Sequence, residues 1–239
     1  MKNTTTLIGC YGNDKTHALA AWTSTFLELD IPMPKQIEDR VPALVNHILL
    51  NSKRMRDIPS LLKFLGDEKH NSPFRFSVLH FSMTTEIATH IHFLKHQVAL
   101  RADNGESARY KELKEDKAYY PKDWIENENQ EVKMVLTALK LHTEKGNKLY
   151  HEAIKVLTPH LGKQRAKETA RFFKGYNSQI NTQKMFSFGS FAEVYHKRNL
   201  ETPSQREIAW IIEDMRNQVQ ETGLFNESLK ALKMWKPTI

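Results

Sequence analysis

Two short segments of the chain carry residues that can bind an anionic ligand. Residues 95–97 read Lys-His-Gln, and residues 104–110 read Asn-Gly-Glu-Ser-Ala-Arg-Tyr. The planar guanidinium of Arg109 matches the spacing of phosphate oxygens, and the Ser107 hydroxyl and the loop amides around Gly105 can complete an anion-binding cup. A single basic residue is usually only a solvated surface charge. Because several suitable groups stand together here, the pattern predicts a site for a phosphorylated ligand.

Other residue types that do chemistry are weaker candidates. His92 and His96 are one helical turn apart and His90 is near, a spacing that can hold a metal ion from one helix face. No HExxH pattern and no third ligand accompanies them, so packing or hydrogen bonding is the expected role. Cys10 is the sole cysteine, which excludes an intrachain disulfide and a zinc site of several thiolates. Its apolar surroundings predict a small buried side chain and not a catalytic nucleophile.

The composition is typical of one soluble domain with anionic partners. The 239 residues are 40% hydrophobic, enough to bury one substantial core, and we expect a single domain over residues 1–239. The net charge of +7 favours nucleotides, folates, nucleic acid or acidic membranes. No segment approaches the roughly 20 apolar residues that span a bilayer, so we expect a cytoplasmic protein without a membrane partner. The sequence has no recognised nucleic-acid motif, which ranks nucleic acid last among the ligands.

Hydrophobic periodicity predicts the elements that must position these residues. In the first half it favours a strand at 4–11, helices at 17–29 and 37–49, a strand at 74–83 and a helix at 86–100. Both faces of the 74–83 strand are partly apolar, which predicts that both are covered. The 86–100 helix is expected to deliver Lys95 and His96 to the loop that contains Arg109.

The second half of the chain is predicted to be largely helical. The expected helices are at 123–158, 164–173 and 204–232, with residues 202–204 (Thr-Pro-Ser) as a breaker and cap before the last of them. Helices dominate over a few separated strands. The fold class is therefore α+β rather than a regular βαβ array.

The motifs resemble the signature of the flavin-dependent thymidylate synthases. That family carries an RHR-x7-S motif, usually preceded by H-x-[ST]-P-F and followed by R-Y; here residues 70–74 read HNSPF, 95–97 read KHQ and 107–110 read SARY. Further similar segments are 11–14, 20–24, 170–171, 186–191, Arg198 and 204–208. The resemblance covers nearly the whole chain. It implies a mostly helical single domain with a central antiparallel sheet.

The same resemblance implies an activity. The family converts deoxyuridylate (dUMP) to thymidylate with reduced FAD, taking the one-carbon unit from methylenetetrahydrofolate and the electrons from NADPH. Flavin supplies the hydride chemistry, and the protein supplies binding and orientation. The implied partners are therefore dUMP and folate, in a homotetramer with sites between subunits.

The resemblance also implies which residues line the site. Those around the flavin are Ser24, Ser72, Lys95, His96, Gln97 and Glu106, with Ser187 and Glu193 where the family usually has asparagines. Those around dUMP are His92, Lys95, Glu106, Ser107, Arg109, Arg171 and Arg198. Arg109 and Arg171 suit the phosphate. Arg198 matches the arginine that contacts the pyrimidine and favours its ionised form, which makes it the expected catalytic residue, since a fixed positive charge stabilises negative charge developing on the ring.

The sequence departs from the family pattern within this set. Lys95 and Gln97 replace the arginines of RHR, and nine residues instead of seven precede the serine, which leaves Arg101 as a candidate for the missing charge. Glu106 stands one residue later than is usual, and Glu193 replaces an asparagine. These changes keep two alternatives open. One is a related flavin enzyme with another pyrimidine substrate or a hydroxymethylated product, and the other is a basic nucleic-acid-binding protein.

Ordinary structural roles compete with some of these assignments. Arg171 and Arg198 stand in helical stretches, where an arginine usually forms a surface ion pair. Ser72 precedes a proline, as a simple turn residue would. Similarity at several separated elements favours the site roles over these structural ones.

Overall fold

The computed structural model describes residues 2–25, 30–52, 56–96, 100–107 and 109–237. The predicted role of Gln97 lies outside these residues, and so does that of the Arg101 side chain. Within the described part of the chain, no helix combines the length and the apolar character that crossing a bilayer requires.

Four strands of the described residues form one antiparallel sheet. They are β1 (Thr4–Tyr11), β2 (Val78–Glu86), β3 (Leu100–Gly105) and β4 (Gln179–Ser187), in the order β1-β2-β4-β3. In β2, Leu79, Phe81 and Met83 are buried and the residues between them are half-buried. This pattern confirms that both faces of β2 are covered. The edges of the sheet are β1 and β3.

Helices account for most of the remaining structure. In chain order they are α1 (Asp14–Trp22), α2 (Arg40–Asn51), α3 (Ile58–Asp67), α4 (Ile87–Leu94), α5 (Lys122–Ile125), α6 (Gln130–Leu161), α7 (Lys163–Ala170), α8 (Phe188–Arg198), α9 (Arg206–Glu221) and α10 (Asn226–Ala231). Short 3-10 turns are formed by Ile37–Asp39, Pro73–Arg75 and Arg171–Phe173. The predicted α+β class with predominant helix is confirmed.

The chain divides into two compact units. Unit 1 comprises Met1–Thr5, Ser82–Lys95 and Asp103–Gln183, and unit 2 comprises Thr6–Phe81, His96–Ala102 and Lys184–Ile239. In unit 1, Tyr150 and Ile154 of α6 pack with Ala170 of α7. In unit 2, buried aromatic rings pack closely, and the rings of Phe188 and Phe225 stack at 5.0 Å. A single domain over residues 1–239 stays a prediction.

Several predicted element boundaries are wrong for identifiable reasons. The helix predicted at 17–29 begins at Asp14, because Asn13 forms a capping box there, and it ends at Trp22. The strand predicted at 74–83 begins only at Val78, because Pro73 opens a 3-10 turn. The last predicted helix is interrupted at Gly223, whose φ of +69° lies in the left-handed region that glycine favours.

Sequence reasoning missed the strand β3. The helix predicted at 86–100 ends at Leu94, and Leu100 already belongs to β3. The β3 sequence, LRADNG, lacks an apolar alternation, so no local strand signal marks it. Asn104 and Gly105 therefore lie in a strand and not in the predicted loop.

Two predictions about single residues are also corrected. Cys10 is exposed, and not buried, because β1 is an edge strand whose second half faces solvent. The cap residue of α9 is Gln205, which makes no side-chain capping bond. The Ser204 hydroxyl instead donates to the Lys197 carbonyl at 3.0 Å.

Candidate functional site

In unit 1, the predicted anion-binding segment follows β3 and is shaped by Ser107. The Ser107 carbonyl accepts the amides three and four residues later, both at 3.1 Å, and its hydroxyl oxygen accepts the Arg109 amide at 3.3 Å. The Glu106 amide donates to the Asn181 carbonyl at 2.8 Å. Among these amides only that of Glu106 adjoins Gly105, and it is already used within the chain. The predicted cup of loop amides stays a prediction.

The Glu106 carboxylate is held beside this turn. The Asn181 side-chain amide donates to it at 3.3 Å, and the Lys111 ammonium lies 3.5 Å from it. Only 19% of the Glu106 side chain is exposed. A carboxylate fixed in this way can accept a hydrogen bond from an N–H or O–H of a ligand.

Arg109 is held by side chains of α7. Its Nε lies 2.6 Å from Glu168 Oε1. The side-chain oxygen of Gln164 lies 2.9 Å from both Nε and Nη2, when the amide is oriented to face the guanidinium. Lys167 also donates to the Tyr110 carbonyl at 2.7 Å. The guanidinium is thus oriented by α7 while half of its side chain stays exposed, an arrangement that suits a phosphate.

Arg171 stands at the C-terminal end of the same helix. It is exposed and has helical backbone angles. Residues 164, 168 and 171 are spaced by four and three, so they share one side of α7 and its last turn. Arg109 is therefore contacted by residues of α7, and Arg171 caps the same helix. A cation at a helix C-terminus is also stabilised by the helix dipole, so a structural role still competes.

The end of α4 carries two further predicted residues of unit 1. His92 is half-buried in the last turn, and Lys95 is the exposed C-cap residue. His90 Nε2 lies 3.9 Å from an Asp103 carboxylate oxygen. Among the residues that the structure describes, no group of three or more His, Cys, Asp or Glu side chains is placed to hold a metal ion.

In unit 2, Arg198 contacts His96. Arg198 ends α8 and is half-buried, and its Nε donates to His96 Nε2 at 3.2 Å while its Nη1 donates to the Lys197 carbonyl at 3.1 Å. Arginine is always charged and can only donate. The His96 Nε2 must therefore carry a lone pair, which makes this imidazole neutral with its proton on Nδ1. Two residues that the resemblance assigns to different ligands are thus in direct contact.

The carboxylate of Glu193 is paired. Arg75 Nη2 lies 2.5 Å from Glu193 Oε1, and each side chain is about one-third exposed. A Cβ at Gly189 would lie 3.1 Å from the Arg75 side chain and 3.3 Å from the Asn71 carbonyl, so glycine lets α8 approach the HNSPF element closely. Glu193 therefore brings no unpaired negative charge to this part of unit 2.

The three predicted serines of unit 2 have different surroundings. Ser187 is buried as the N-cap of α8, where it accepts the Ser190 amide at 3.3 Å and donates to the Ser190 hydroxyl at 2.8 Å. Ser72 is exposed before its 3-10 turn, without a side-chain capping bond. Ser24 is exposed and donates to the Ala21 carbonyl at 2.8 Å. Direct ligand contact by these serines stays a prediction.

A cavity of about 470 Å³ lies elsewhere in unit 2. It is lined by Leu200, Thr202, Pro203, Ser204, Arg206, Ala209 and Trp210. None of the predicted site residues that the structure describes lines it, and among its described lining residues Arg206 alone is charged. We therefore place the candidate site at the charged groups and not at this cavity.

Sequence reasoning missed the side chains that hold the predicted ones. Gln164, Glu168 and Arg75 orient or neutralise predicted residues. Glu168 stands 59 positions after Arg109, and no local spacing connects them. The one available signal is the charged, amphipathic surface of the 164–173 helix, which does not say what it contacts.

Comparison with known proteins identifies the family and the fold of this chain. The family described as thymidylate synthase complementing protein matches residues 6–222. The UMP/dUMP methylase PolB from Streptomyces cacaoi, bound with 5-Br dUMP, superposes with a TM-score of 0.74 and 18% identity, over 98% of this chain and 96% of that chain. PolB bound with 5-Br UMP gives a TM-score of 0.68 and 17% identity, over 99% and 97%. Among curated protein sequences, none matches this chain.

Proposed function

This chain belongs to the thymidylate synthase complementing protein family, as its resemblance to the flavin-dependent thymidylate synthases predicts, and we propose that it methylates dUMP to thymidylate. Methylenetetrahydrofolate would supply the one-carbon unit and NADPH the electrons. The observation that carries the proposal is Arg109, half-exposed beside Ser107 and oriented by Glu168 and Gln164. A fixed guanidinium next to a hydroxyl suits a phosphate monoester.

In this proposal the residues of unit 1 bind the nucleotide. Arg109 and Arg171 pair with the phosphate, and the Ser107 hydroxyl donates to it. The fixed Glu106 carboxylate accepts from an N–H or O–H of the ligand. His92 and Lys95 complete the nucleotide contacts of this unit.

Arg198 is the proposed catalytic residue. Its described contacts use Nε and Nη1, which leaves Nη2 to donate to the pyrimidine. The contact with His96 keeps the guanidinium in one orientation, so no reorganisation is needed when negative charge develops on the ring. Arg198 would thereby favour the ionised, more nucleophilic pyrimidine.

The proposed cofactor is FAD, an anionic dinucleotide that would supply the hydride chemistry when bound. Lys95 is an exposed cation, and His96 is a neutral imidazole. The pairing of Glu193 with Arg75 removes the repulsion that a lone carboxylate would exert on flavin phosphates. We propose Ser24, Ser72, Lys95, His96 and Gln97 as flavin contacts.

UMP is a second candidate substrate. PolB is a UMP/dUMP methylase, and its two structures hold 5-Br dUMP and 5-Br UMP. That enzyme shares only 18% identity with this chain, so its substrates serve as candidates to test. The proposed phosphate and pyrimidine contacts are common to both nucleotides.

A product assay tests the proposal. Purified protein is incubated with methylenetetrahydrofolate, NADPH, FAD and either dUMP or UMP, and the recovered nucleotide is identified by mass spectrometry. We expect thymidylate from dUMP. Arg198→Ala should lower the rate by about a hundredfold, the size of effect seen when one preorganised donor is lost. Arg40→Ala, which truncates an exposed arginine whose Nε donates to the Pro34 carbonyl, is the matched control and should leave the rate unchanged.

Each other outcome of this assay has a definite meaning. Recovery of a hydroxymethylated nucleotide would show that the protein makes this related product instead of thymidylate. Methylation of UMP but not of dUMP would show that UMP is the substrate. Recovery of both nucleotides unchanged would contradict the proposed function.

A further inference from the structure

We propose that Glu168, assisted by Gln164, is a positioning residue that orients Arg109 for the 5′-phosphate of the nucleotide. This inference rests on the proposed function, because it takes Arg109 as the phosphate-binding group. The role of Glu168 is to act through the guanidinium that it holds.

Glu168 is itself anchored from two sides. Its Oε1 lies 2.6 Å from Arg109 Nε, and its Oε2 lies 3.3 Å from Arg165 Nη1. Only 20% of the Glu168 side chain is exposed, against 50% for Arg109 and 63% for Arg165. The carboxylate is thus the least exposed of the three charged groups. It can therefore serve as a support for the more exposed guanidinium.

The contacts select one edge of the guanidinium. Glu168 takes Nε, and the Gln164 oxygen lies between Nε and Nη2. Among the described residues, no recorded contact uses Nη1 of Arg109. The group is therefore held along one edge and keeps its outer end for the phosphate. An arginine oriented in advance loses less side-chain entropy when its ligand binds.

Neighbouring residues hold the backbone of the same segment. Lys167 donates to the Tyr110 carbonyl at 2.7 Å, and the Arg109 guanidinium lies 5.6 Å from the centre of the Tyr110 ring. Side chain and backbone of the segment are thus both attached to α7. This double attachment is what distinguishes a positioned arginine from a mobile surface charge.

The opposite role, in which Glu168 competes with the phosphate, is less consistent with this geometry. A competitor would occupy the end of the guanidinium that the ligand needs, whereas Glu168 and Gln164 share its Nε edge. Glu168 does repel a phosphate. That repulsion acts across the whole guanidinium and is screened by water in a half-exposed place, so orientation is the larger effect.

Calorimetric titrations with dUMP and with deoxyuridine, in the presence of FAD, test this role. The dissociation constant of deoxyuridine divided by that of dUMP is a ratio that isolates the contribution of the phosphate, and a general loss of structure would not change it selectively. We expect Glu168→Ala to lower this ratio by about tenfold, which corresponds to losing roughly one charge-assisted interaction. Glu168→Gln keeps an acceptor oxygen and should fall between Glu168→Ala and the wild type. Arg109→Ala should lower the ratio at least as much as Glu168→Ala.

Glu152→Ala is the matched control. Glu152 is half-exposed on α6, where it lies 3.9 Å from Lys148, and its loss should not change the ratio. An unchanged or higher ratio in Glu168→Ala, with a lower ratio in Arg109→Ala, would overturn the positioning role and leave the proposed function standing. An unchanged ratio in Arg109→Ala would show that Arg109 does not bind the phosphate, and this too would overturn the positioning role. Failure of the wild-type protein to bind dUMP or UMP would reject the proposed function itself.

Discussion

In unit 2, the buried side chain of His17 takes part in a continuous series of hydrogen bonds. Ser228 donates its hydroxyl proton to Asp14 at 2.5 Å, so its oxygen accepts from His17 Nδ1 at 2.7 Å. His17 Nε2 then accepts the Ser77 hydroxyl at 2.7 Å. Each side chain in this series of hydrogen bonds has a partner, which is what burial requires. The histidine is neutral, and its tautomer is fixed by the order of donors.

This environment predicts a pH-dependent stability. Burial lowers the pKa of His17 from 6.5 to about 3. His17 is therefore protonated below about pH 6.5 in the unfolded chain but only below about pH 3 in the folded chain. The free energy of unfolding falls as the pH drops through this window, because the unfolded state binds the additional proton. One pKa unit corresponds to about 1.4 kcal/mol, so the total loss is at most about 5 kcal/mol.

Comparison with His17→Gln isolates the effect, because other titrating groups such as Asp14 remain in both proteins. The variant is expected to be less stable at pH 7, since it loses part of the buried hydrogen-bond chain. The stability difference should then shrink by up to about 1.4 kcal/mol per unit between pH 6.5 and 5, as measured by urea denaturation. A difference that stays constant over this range would contradict a neutral His17.

At the scale of elements, local patterning predicts some parts of the fold and not others. The strand predicted at 4–11 matches β1, because its run of Thr, Leu and Ile is a local strand signal. β3 escapes prediction because its polar sequence becomes a strand only by pairing with β4, about 75 residues later. The turn at Glu106 likewise depends on Asn181. Long-range pairing therefore decides the part of the site that sequence patterns leave undefined.

The segment just after Arg109 is attached to α6 by a charged network. Asp116 contacts Lys174 at 2.5 Å and His151 Nε2 at 3.0 Å, and Lys174 also donates to Asn147 at 2.7 Å. Only 4% of the Lys174 side chain is exposed. An ammonium that is this buried depends on its partners, because an unpaired buried charge is strongly unfavourable.

We expect Asp116→Asn to lower the free energy of unfolding by about 2 kcal/mol. This loss is smaller than that for a fully buried ion pair, because the Asp116 side chain is one-third exposed. Asparagine tolerates the positive φ of +48° at this position, so the backbone is not strained by the change. Glu115→Gln is the control, since it weakens an exposed pair with Lys117 and should change stability by less than about 0.5 kcal/mol. Equal urea midpoints for the two variants would show that the Lys174 pair does not stabilise the fold.

At the scale of the whole molecule, the sequence identifies candidate ligand-binding residues better than it identifies their supports. Ser107 and Arg109 are found because they stand two positions apart in one motif. Glu193 looks like an uncompensated departure until the fold brings Arg75, 118 positions away, to its carboxylate. A motif records which groups meet a ligand, whereas their orientation and charge balance depend on contacts that only folding creates.

We propose that the chain forms the homotetramer that the family resemblance implies, with exposed apolar side chains at its contacts. Leu50, Phe172 and Ile37 are 83%, 82% and 75% exposed, although a net charge of +7 would make copies of the chain repel one another. Apolar contacts should therefore hold the assembly, and screening between about 0.1 M and 1 M salt should not dissociate it. Light scattering after gel filtration should give about 111 kDa, four times 27.8 kDa, at both salt concentrations. A mass near 27.8 kDa would contradict the tetramer, and a tetramer that dissociates in high salt would show that ion pairs hold it instead.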